Sequence, residues 1–425
     1  MKVAIIGNGG REHCIGYRIK SSPDCDRLYF IKGNGGTKSI GENIDIDEGK
    51  SDEVVKFCLE NEVEFVIIGP EKPLVEGLAD LLRNAGITVF GPSGNAARIE
   101  SEKSYAKMIM KKYGVPTANY REFTRSGKSE AIDYLRAIPH PIVIKADGLA
   151  AGKGVIICKR FEESESAIKE IFEDNIFGKS GDRIVVEEFL EGEEATIFAI
   201  TDGERYITLP AAQDHKRIGD GDTGKNTGGM GAYAPAPIIT ANLLEEIKSR
   251  IIEPTLDGLR KEKNSFSGCL YCGLMITKEG PKVIEYNCRF GDPETQVVLP
   301  IIEGDLLKLL YSCATGKIDE NTVWYGGKSA VCVVAASKGY PENFERGFEI
   351  SGLEKLNTDQ YYVFHSGTKF EGDKLITNGG RVLGLTALLK ENNIARGIEL
   401  AYKGMGEISF KNIYYRNDIA QKALK

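Results

Sequence analysis

The sequence predicts an α/β protein, α+β overall, with an open parallel sheet of nucleotide-binding type at its start and a smaller β-rich unit at its end. Four apolar runs in the first hundred residues, at 3–6, 28–31, 63–68 and 87–90, each stop at glycine, at glycine after one lysine, or at Gly-Pro. Short apolar runs bounded this way read as buried parallel strands. Segments of helical spacing lie between them, such as Val54, Val55, Cys58 and Leu59 after a Ser51 cap, or Leu78, Leu81 and Leu82. After Lys317 new strand-like runs appear at 330–337, 361–368 and 381–389, followed by a helix around 394–402. At roughly 150 residues per domain, the 425-residue chain holds about three units.

Composition narrows the function classes. With 41% hydrophobic and 28% charged residues and no apolar run near the ~20 residues of a membrane span, neither disorder nor membrane insertion is expected. Lys and Arg number 55 against 62 Asp and Glu, a formal charge of −7, which argues against a nucleic-acid partner. The start, MKVAIIGNGG, runs straight into a strand without a signal-peptide pattern, so a cytoplasmic location is expected. Nine cysteines scattered through apolar segments read as small buried hydrophobes. The pair Cys269 and Cys272 has no second pair to complete a zinc site.

In an open parallel sheet the loops leaving the carboxyl ends of the strands share one edge. GNGGREH (7–13), KGNGG (32–36), GPEKP (69–73) and GPS (91–93) should therefore meet there and form a ligand pocket. Gly9 and Gly10 before a helix suit a phosphate, although ordinary strand-to-helix turns would need the same residues. A dinucleotide oxidoreductase is disfavoured, because the second strand ends in Ile31-Lys32-Gly33 without the acidic residue that grips a ribose.

The central segment opens with a helix at 104–113. PIVIK, then ADGLAAGKG, then VIIC reads as two strands joined by a glycine-rich loop that could close over phosphates with Lys145 and Lys153; a plain hairpin with solvated lysines is the alternative. Neither GLAAGKG nor GDGDTGKN is a P-loop, the first for its spacing and the second for the prolines where a helix should follow. Glu187, Glu188, Leu190 and Glu194 gather near a strand end and could take an adenine amino group and ribose hydroxyls, or form a solvated acidic loop. The stretch 210–237 reads as a long functional loop whose Asp214, His215, Lys216 and Arg217 suit an anionic substrate. Strand alternation over 282–289 puts Glu285, Asn287 and Arg289 on one face and Ile284, Tyr286 and Cys288 on the other. That face is either a cradle for a hard cation carrying a polyphosphate or a buried Glu285–Arg289 pair.

GNGGREH, GPEKPLVEGLAD, FGPS, KADGLAAGKGV, HKR, KNTGGMGAY and VIEYNCRFGDPE follow one another along the chain. On these motifs the chain resembles, over essentially its whole length, the phosphoribosylamine–glycine ligase family of ATP-grasp enzymes, with RFGDPETQ (289–296) similar to the family signature. Lys225 departs from the pattern at a position where proline is often expected. The resemblance implies an N-terminal α/β substrate domain (1–102), an ATP-grasp region (103–325) with a lid at about 117–190, and a C-terminal domain (326–425) that only packs and shapes. It further implies Lys103 and Lys145 on ATP phosphates, beside the Lys153 of the glycine-rich loop reading, Glu187 and Leu190 on adenine, Glu194 on ribose, and Glu285 with Asn287 on Mg2+ or Mn2+. Tyr271, Cys272 and Gly273 stand where many ATP-grasp enzymes carry a further acidic ligand. Arg289, Lys145 and Asp292 are the candidate catalytic residues, and Gly9, Gly10, Arg11, Glu71, Asp214, Lys216, Arg217, Gly229 and Met230 the candidate substrate-binding ones. The implied reaction joins glycine to 5-phosphoribosylamine through glycyl phosphate, with ATP consumed, in a monomer. A formate-using or carboxylating ATP-grasp relative and an idle nucleotide-binding protein are the alternatives.

Overall fold

The computed structural model describes residues 1–149, 154–356 and 359–424. The first unit is a five-stranded parallel sheet in the spatial order Glu42–Ile44, Arg27–Lys32, Lys2–Gly7, Phe65–Ile68 and Thr88–Phe90. Ile6 stands level with Ile31 on one side and Ile68 on the other, and helices cover both faces, which is why these strands are apolar throughout. The edge strand Glu42–Ile44 is an addition to the four expected, since its polar sequence carries no strand signal. The helix Ser51–Glu60 starts one residue earlier than expected, with Lys50 in the cap position and Ser51 inside.

A separate four-stranded antiparallel sheet follows, ordered Tyr120–Thr124, Arg183–Glu188, Ile142–Ala146 and Val155–Cys158. It carries its own core, including Phe123, Ile144, Ile168 and Val186, under the helices Lys128–Ala137 and Phe161–Phe172. The expected hairpin is present, with Lys145 level with Val155. Its tip, including Lys153, lies outside the described residues. A second antiparallel sheet runs Tyr206–Thr208, Glu193–Thr201, Gly268–Thr277 and Gly280–Asn287. Cys269 and Cys272 are buried within it as free thiols, as are most of the nine cysteines.

The stretch 210–237, read from sequence as a loop, contains four short strands. Gln213–Asp214 and Gly231–Ala234 enter the last sheet beside Ser329–Ser337, Arg381–Leu389 and Tyr361–His365, while Arg217–Gly219 and Thr223–Asn226 form a hairpin. Small residues such as Ala232, level with Cys332, hide the strand from a hydropathy reading, although its polar backbone is fully paired in the sheet. Alternation along Ser329–Ser337 sends Ala330 and Cys332 toward helix Thr295–Ile301, and Val331 and Val333 toward helix Ile394–Met405. Among the described residues no helix is long and apolar enough to cross a membrane.

The first and last units are joined beside the loops of the parallel sheet. Helix Gly10–Lys20 packs on Thr295–Ile301 and Tyr361–His365. The buried amide of Asn34 donates to the carbonyls of Asn8 (2.9 Å), Gly9 (3.4 Å) and His365 (2.7 Å), and its oxygen accepts from Gly36 and Thr37 N–H. His13 Nδ1 accepts the His365 N–H at 2.9 Å, and the two rings meet edge-on at 5.5 Å.

Burial pushes His13 and His215 down to about 3 and His365 to about 4. Each is neutral in the folded state and ordinary, near 6.5, once unfolded. The stability that follows is present above about pH 6.5 and is lost as pH falls below it, because the unfolded chain then binds protons the folded chain refuses. Between pH 7.5 and 5.5 the unfolding free energy should fall by about 1.4 kcal/mol for each of the three histidines, less about 2 kcal/mol returned by the buried Asp214 carboxyl, which is raised to about 7 and takes up a proton in the folded chain, as read from urea titrations. A profile flat over that interval would contradict the neutral assignment.

Candidate active site

The strand Gly280–Asn287 carries a bulge. Gly273 faces Glu285 while the next residue, Leu274, faces Val283, so Ile284 has no opposite number. This corrects the strict alternation read from sequence: Val283 and Tyr286 both enter the core, and Glu285 and Asn287 keep a common face. The Ile284 carbonyl accepts from Lys145 Nζ at 2.9 Å, which ties the sheet holding Ile142–Ala146 to strand Gly280–Asn287.

Lysines and carboxylates interleave around that strand. Lys145 and Lys107 flank the buried Glu187 at 3.0 and 3.2 Å, so the Glu187 carboxylate, expected near adenine, is engaged by two ammonium groups. Leu190 lies just past the same strand, partly exposed. Lys216 bridges Glu194 (2.8 Å) and Glu285 (3.5 Å). Lys103, at the start of helix Lys103–Tyr113, donates to the Gly148 carbonyl at 3.1 Å, and Ser104 donates through N–H and Oγ to Asp147. Burial lowers Lys103 and pushes Lys107 down to about 8. Burial acts to raise Glu285, but Lys216, Lys145 and Lys103 outweigh it and hold the carboxyl below its usual range. An ionised carboxylate and an amide oxygen on one strand face are ligands magnesium or manganese accepts when phosphates and waters supply the rest. Among the described residues no group of three or more His, Cys, Asp or Glu side chains could hold a metal without such help. Tyr271, at the position of the missing acid, donates its hydroxyl to Glu294 at 2.8 Å and accepts from Thr196 at 2.9 Å.

Arg289 does not pair with Glu285. Its guanidinium sits between Glu71 (3.3 Å) and Glu100 (3.1 Å), two carboxylates from the first unit. Burial opposes its charge, but Glu100 and Glu71 outweigh burial and raise it. The loop continues to Asp292, whose carboxylate accepts from the Arg11 N–H (3.2 Å) and Gln296 Nε2 (2.8 Å) and pairs with Arg381 (3.2 Å). Burial would raise Asp292, yet Arg381 and Arg11 keep it low. The Arg11 guanidinium is itself taken up by Glu12 (2.5 Å) and the Phe290 carbonyl (3.0 Å). Close approach explains two glycines here: a Cβ at Gly9 would lie 2.7 Å from Glu12 Oε2, and one at Gly10 would lie 2.6 Å from Gln296 Nε2.

The remaining candidates separate. Burial pushes Asp214 up to about 7, with Lys216 opposing and Glu294 and Glu194 adding. Gly229 abuts the signature loop, where a Cβ would meet Pro293 Cδ at 2.3 Å. Met230 has its side chain fully inside the C-terminal core, so it offers a substrate no side-chain contact. Arg217 bonds within its own hairpin, to the Gly224 carbonyl at 2.8 Å.

Sequence reasoning missed Lys107, Glu100 and Arg381. Arg381 donates to the carbonyls of Gly228 (2.6 Å) and Asp292 (2.7 Å) as well as pairing with the Asp292 carboxylate. It opens a strand that reads as pure packing, and nothing in the sequence signals its role. A cleft of about 550 Å³, lined by Asn8, Gly9, Lys32, Asp292, Thr368 and Arg381 among others, opens between the first and last units. The last domain, expected only to pack and shape, therefore forms one wall of the cavity.

Replacing Arg289 by Met should leave the buried Glu100 and the half-buried Glu71 without their cation and cost about 3 kcal/mol of stability in denaturant titrations. Arg289→Lys, which keeps the charge, should lose less.

Three segments match family models described as Phosphoribosylglycinamide synthetase: N domain over residues 1–100, ATP-grasp (A) domain over 101–295, and C domain over 330–422. A phosphoribosylamine–glycine ligase from Caldanaerobacter subterraneus subsp. tengcongensis is 45% identical over 420 residues, covering 99% of each chain. The crystal structure of phosphoribosylamine–glycine ligase from Thermotoga maritima superposes with a TM-score of 0.86 at 33% identity, over 99% of this chain and 100% of that one. The biotin carboxylase domain of 2-oxoglutarate carboxylase from Hydrogenobacter thermophilus, solved with MgADP and bicarbonate, shares the fold at 17% identity and a TM-score of 0.74, over 97% and 91% of the two chains.

Proposed function

The chain belongs to the phosphoribosylglycinamide synthetase family, and on that premise we propose that it joins glycine to 5-phosphoribosylamine, giving glycinamide ribonucleotide, ADP and phosphate. The observation that carries the reading is the continuity of Glu285 and Asn287 with the loop to Asp292, which ends in a cleft shared by the first and last units.

The chemistry runs in two steps. A glycine carboxylate oxygen attacks the γ-phosphorus of ATP as the bond to the β-phosphate oxygen breaks, leaving glycyl phosphate and ADP. The amine of phosphoribosylamine then attacks the acyl carbon, phosphate leaves, and the nitrogen gives up a proton to form the amide. The first step brings an anion onto a polyanion, so its barrier falls through fixed positive charge and in-line positioning. In this reading Lys103 and Lys145 meet the ATP phosphates, Glu187 and Leu190 the adenine, and Glu194 the ribose. Lys153 belongs to this set by sequence alone. Glu285 and Asn287 would hold Mg2+ or Mn2+, which neutralises polyphosphate charge when bound. Arg289, anchored by two carboxylates, presents a fixed cation beside the reacting groups. Asp214 and the neighbouring Lys216, which Glu194 and Glu285 hold, suit glycine's ammonium and carboxylate in this reading. Asp292, kept ionised, faces the amine from the cleft wall alongside Gly9; Gly10 and Glu71 complete the sugar site in this reading. Water would hydrolyse glycyl phosphate, so closure of the lid over it matters. The protein is read as a cytoplasmic monomer working on small molecules.

ADP formation measured with ATP, magnesium and phosphoribosylamine should depend strictly on glycine and on the amine. Turnover with formate instead would move the protein to a sister reaction. Glu285→Gln should weaken metal-nucleotide binding at least about tenfold while its circular dichroism is unchanged, since one charged ligand is lost without a change of volume. Normal nucleotide dependence in that variant would overturn the metal assignment.

A further inference from the structure

Resting on the ligase reading above, we infer that the cleft between the first and last units seats the phosphate end of the sugar substrate, with Lys32, Lys38 and Lys369 as its cationic wall. Arg11, the sequence's candidate in this region, already bonds Glu12 and the Phe290 carbonyl. The three lysines line the same cleft, two from the end of strand Arg27–Lys32 and the loop after it and one from strand Thr368–Glu371. None of them belongs to an ion pair among the described residues, in a protein whose formal charge is −7 and whose other cleft cation, Arg381, is bound to Asp292. Lys38 lies over the Phe370 ring at 5.5 Å, a contact that orients an ammonium group without neutralising it.

The wall is built on a rigid floor. Asn34 knits the Asn8, Gly9 and His365 carbonyls together, and Gly35 N–H donates to the Thr368 carbonyl and hydroxyl, both at 3.2 Å. These bonds fix the loop bearing Lys32 and Lys38 against the strand bearing Lys369. Two carboxylates line the cleft: Asp292 is held by Arg381 at the end next to the signature loop, and Asp45 is free to accept from sugar hydroxyls. A molecule with a phosphate at one end and an amine at the other is therefore directed with its phosphate to the lysines and its amine to Asp292. The lysine positions are exposed, so the attraction is screened by salt.

The test uses full-length protein and the variants Lys38→Gln, Lys369→Gln and their double, whose exposed side chains leave the core untouched. KM is measured for each substrate in turn, and ribose 5-phosphate binding by calorimetry at low and high salt. KM for phosphoribosylamine should rise about tenfold in each single variant and further in the double, while KM for ATP and glycine holds. An unchanged KM for the amine, or a rise in KM for ATP instead, overturns the proposal. Should the wild-type protein show no glycine-dependent turnover, the ligase reading falls and calorimetry decides alone. Salt-sensitive ribose 5-phosphate binding that the double variant loses by tenfold or more supports the phosphate seat, and binding equal in both proteins overturns it.

Discussion

The carboxylate of Asp292 is where three parts of the chain are held together. It takes the backbone N–H of Arg11 from the first unit, the guanidinium of Arg381 from the last, and the amide of Gln296 from the helix that follows it. Two of the partners are themselves held further: Arg11 by Glu12 and the Phe290 carbonyl, and Arg381 by the carbonyls of Gly228 and Asp292. The glycines at 9, 10 and 229 are the steric counterpart of this knot, since a side-chain carbon at any of them would strike a neighbour. The cleft exists because these contacts bring the loops of the parallel sheet against the edge of the last sheet without closing the space between them.

Around the knot the protein keeps its cations in buried or half-buried pairs. Lys145 with Glu187, Lys216 with Glu194 and Glu285, and Arg289 with Glu71 and Glu100 are all of this kind. Such pairs add little net stability, because desolvation cancels most of the attraction. What they provide is positive charge held in place before a polyanion arrives, which is the condition for electrostatic help to a phosphoryl transfer. Lys32, Lys38 and Lys369 of the N-to-C cleft are different in having no carboxylate partner among the described residues.

Much of this was legible in residue order. Strands of continuous Val, Ile and Phe ending at glycine announced the parallel sheet, because both faces of such a strand are buried. The polar edge strand Glu42–Ile44 and the short strand Gly231–Ala234 were not, because the first is half exposed and the second carries a single large side chain, Tyr233, among small residues. At the site, Glu285 and Asn287 followed from alternation, whereas the pairing of Arg289 with Glu71 and Glu100 depends on residues about 200 positions away along the chain.

The sequence by itself determined the alternating strands and helices, the hairpin carrying Lys145, the ordered motifs that mark the family, and the side chains available for phosphate and metal. Those are properties of local pattern and chemical type, which residue order contains in full. Only the tertiary structure decided that Ile284 bulges to offer its carbonyl to Lys145, that Met230 is core, that Arg217 serves its hairpin, and that Arg381 makes the last domain part of the cleft. Each depends on which distant surfaces pack together, and a strand reading as pure packing carries no local trace of the loop its first residue will hold.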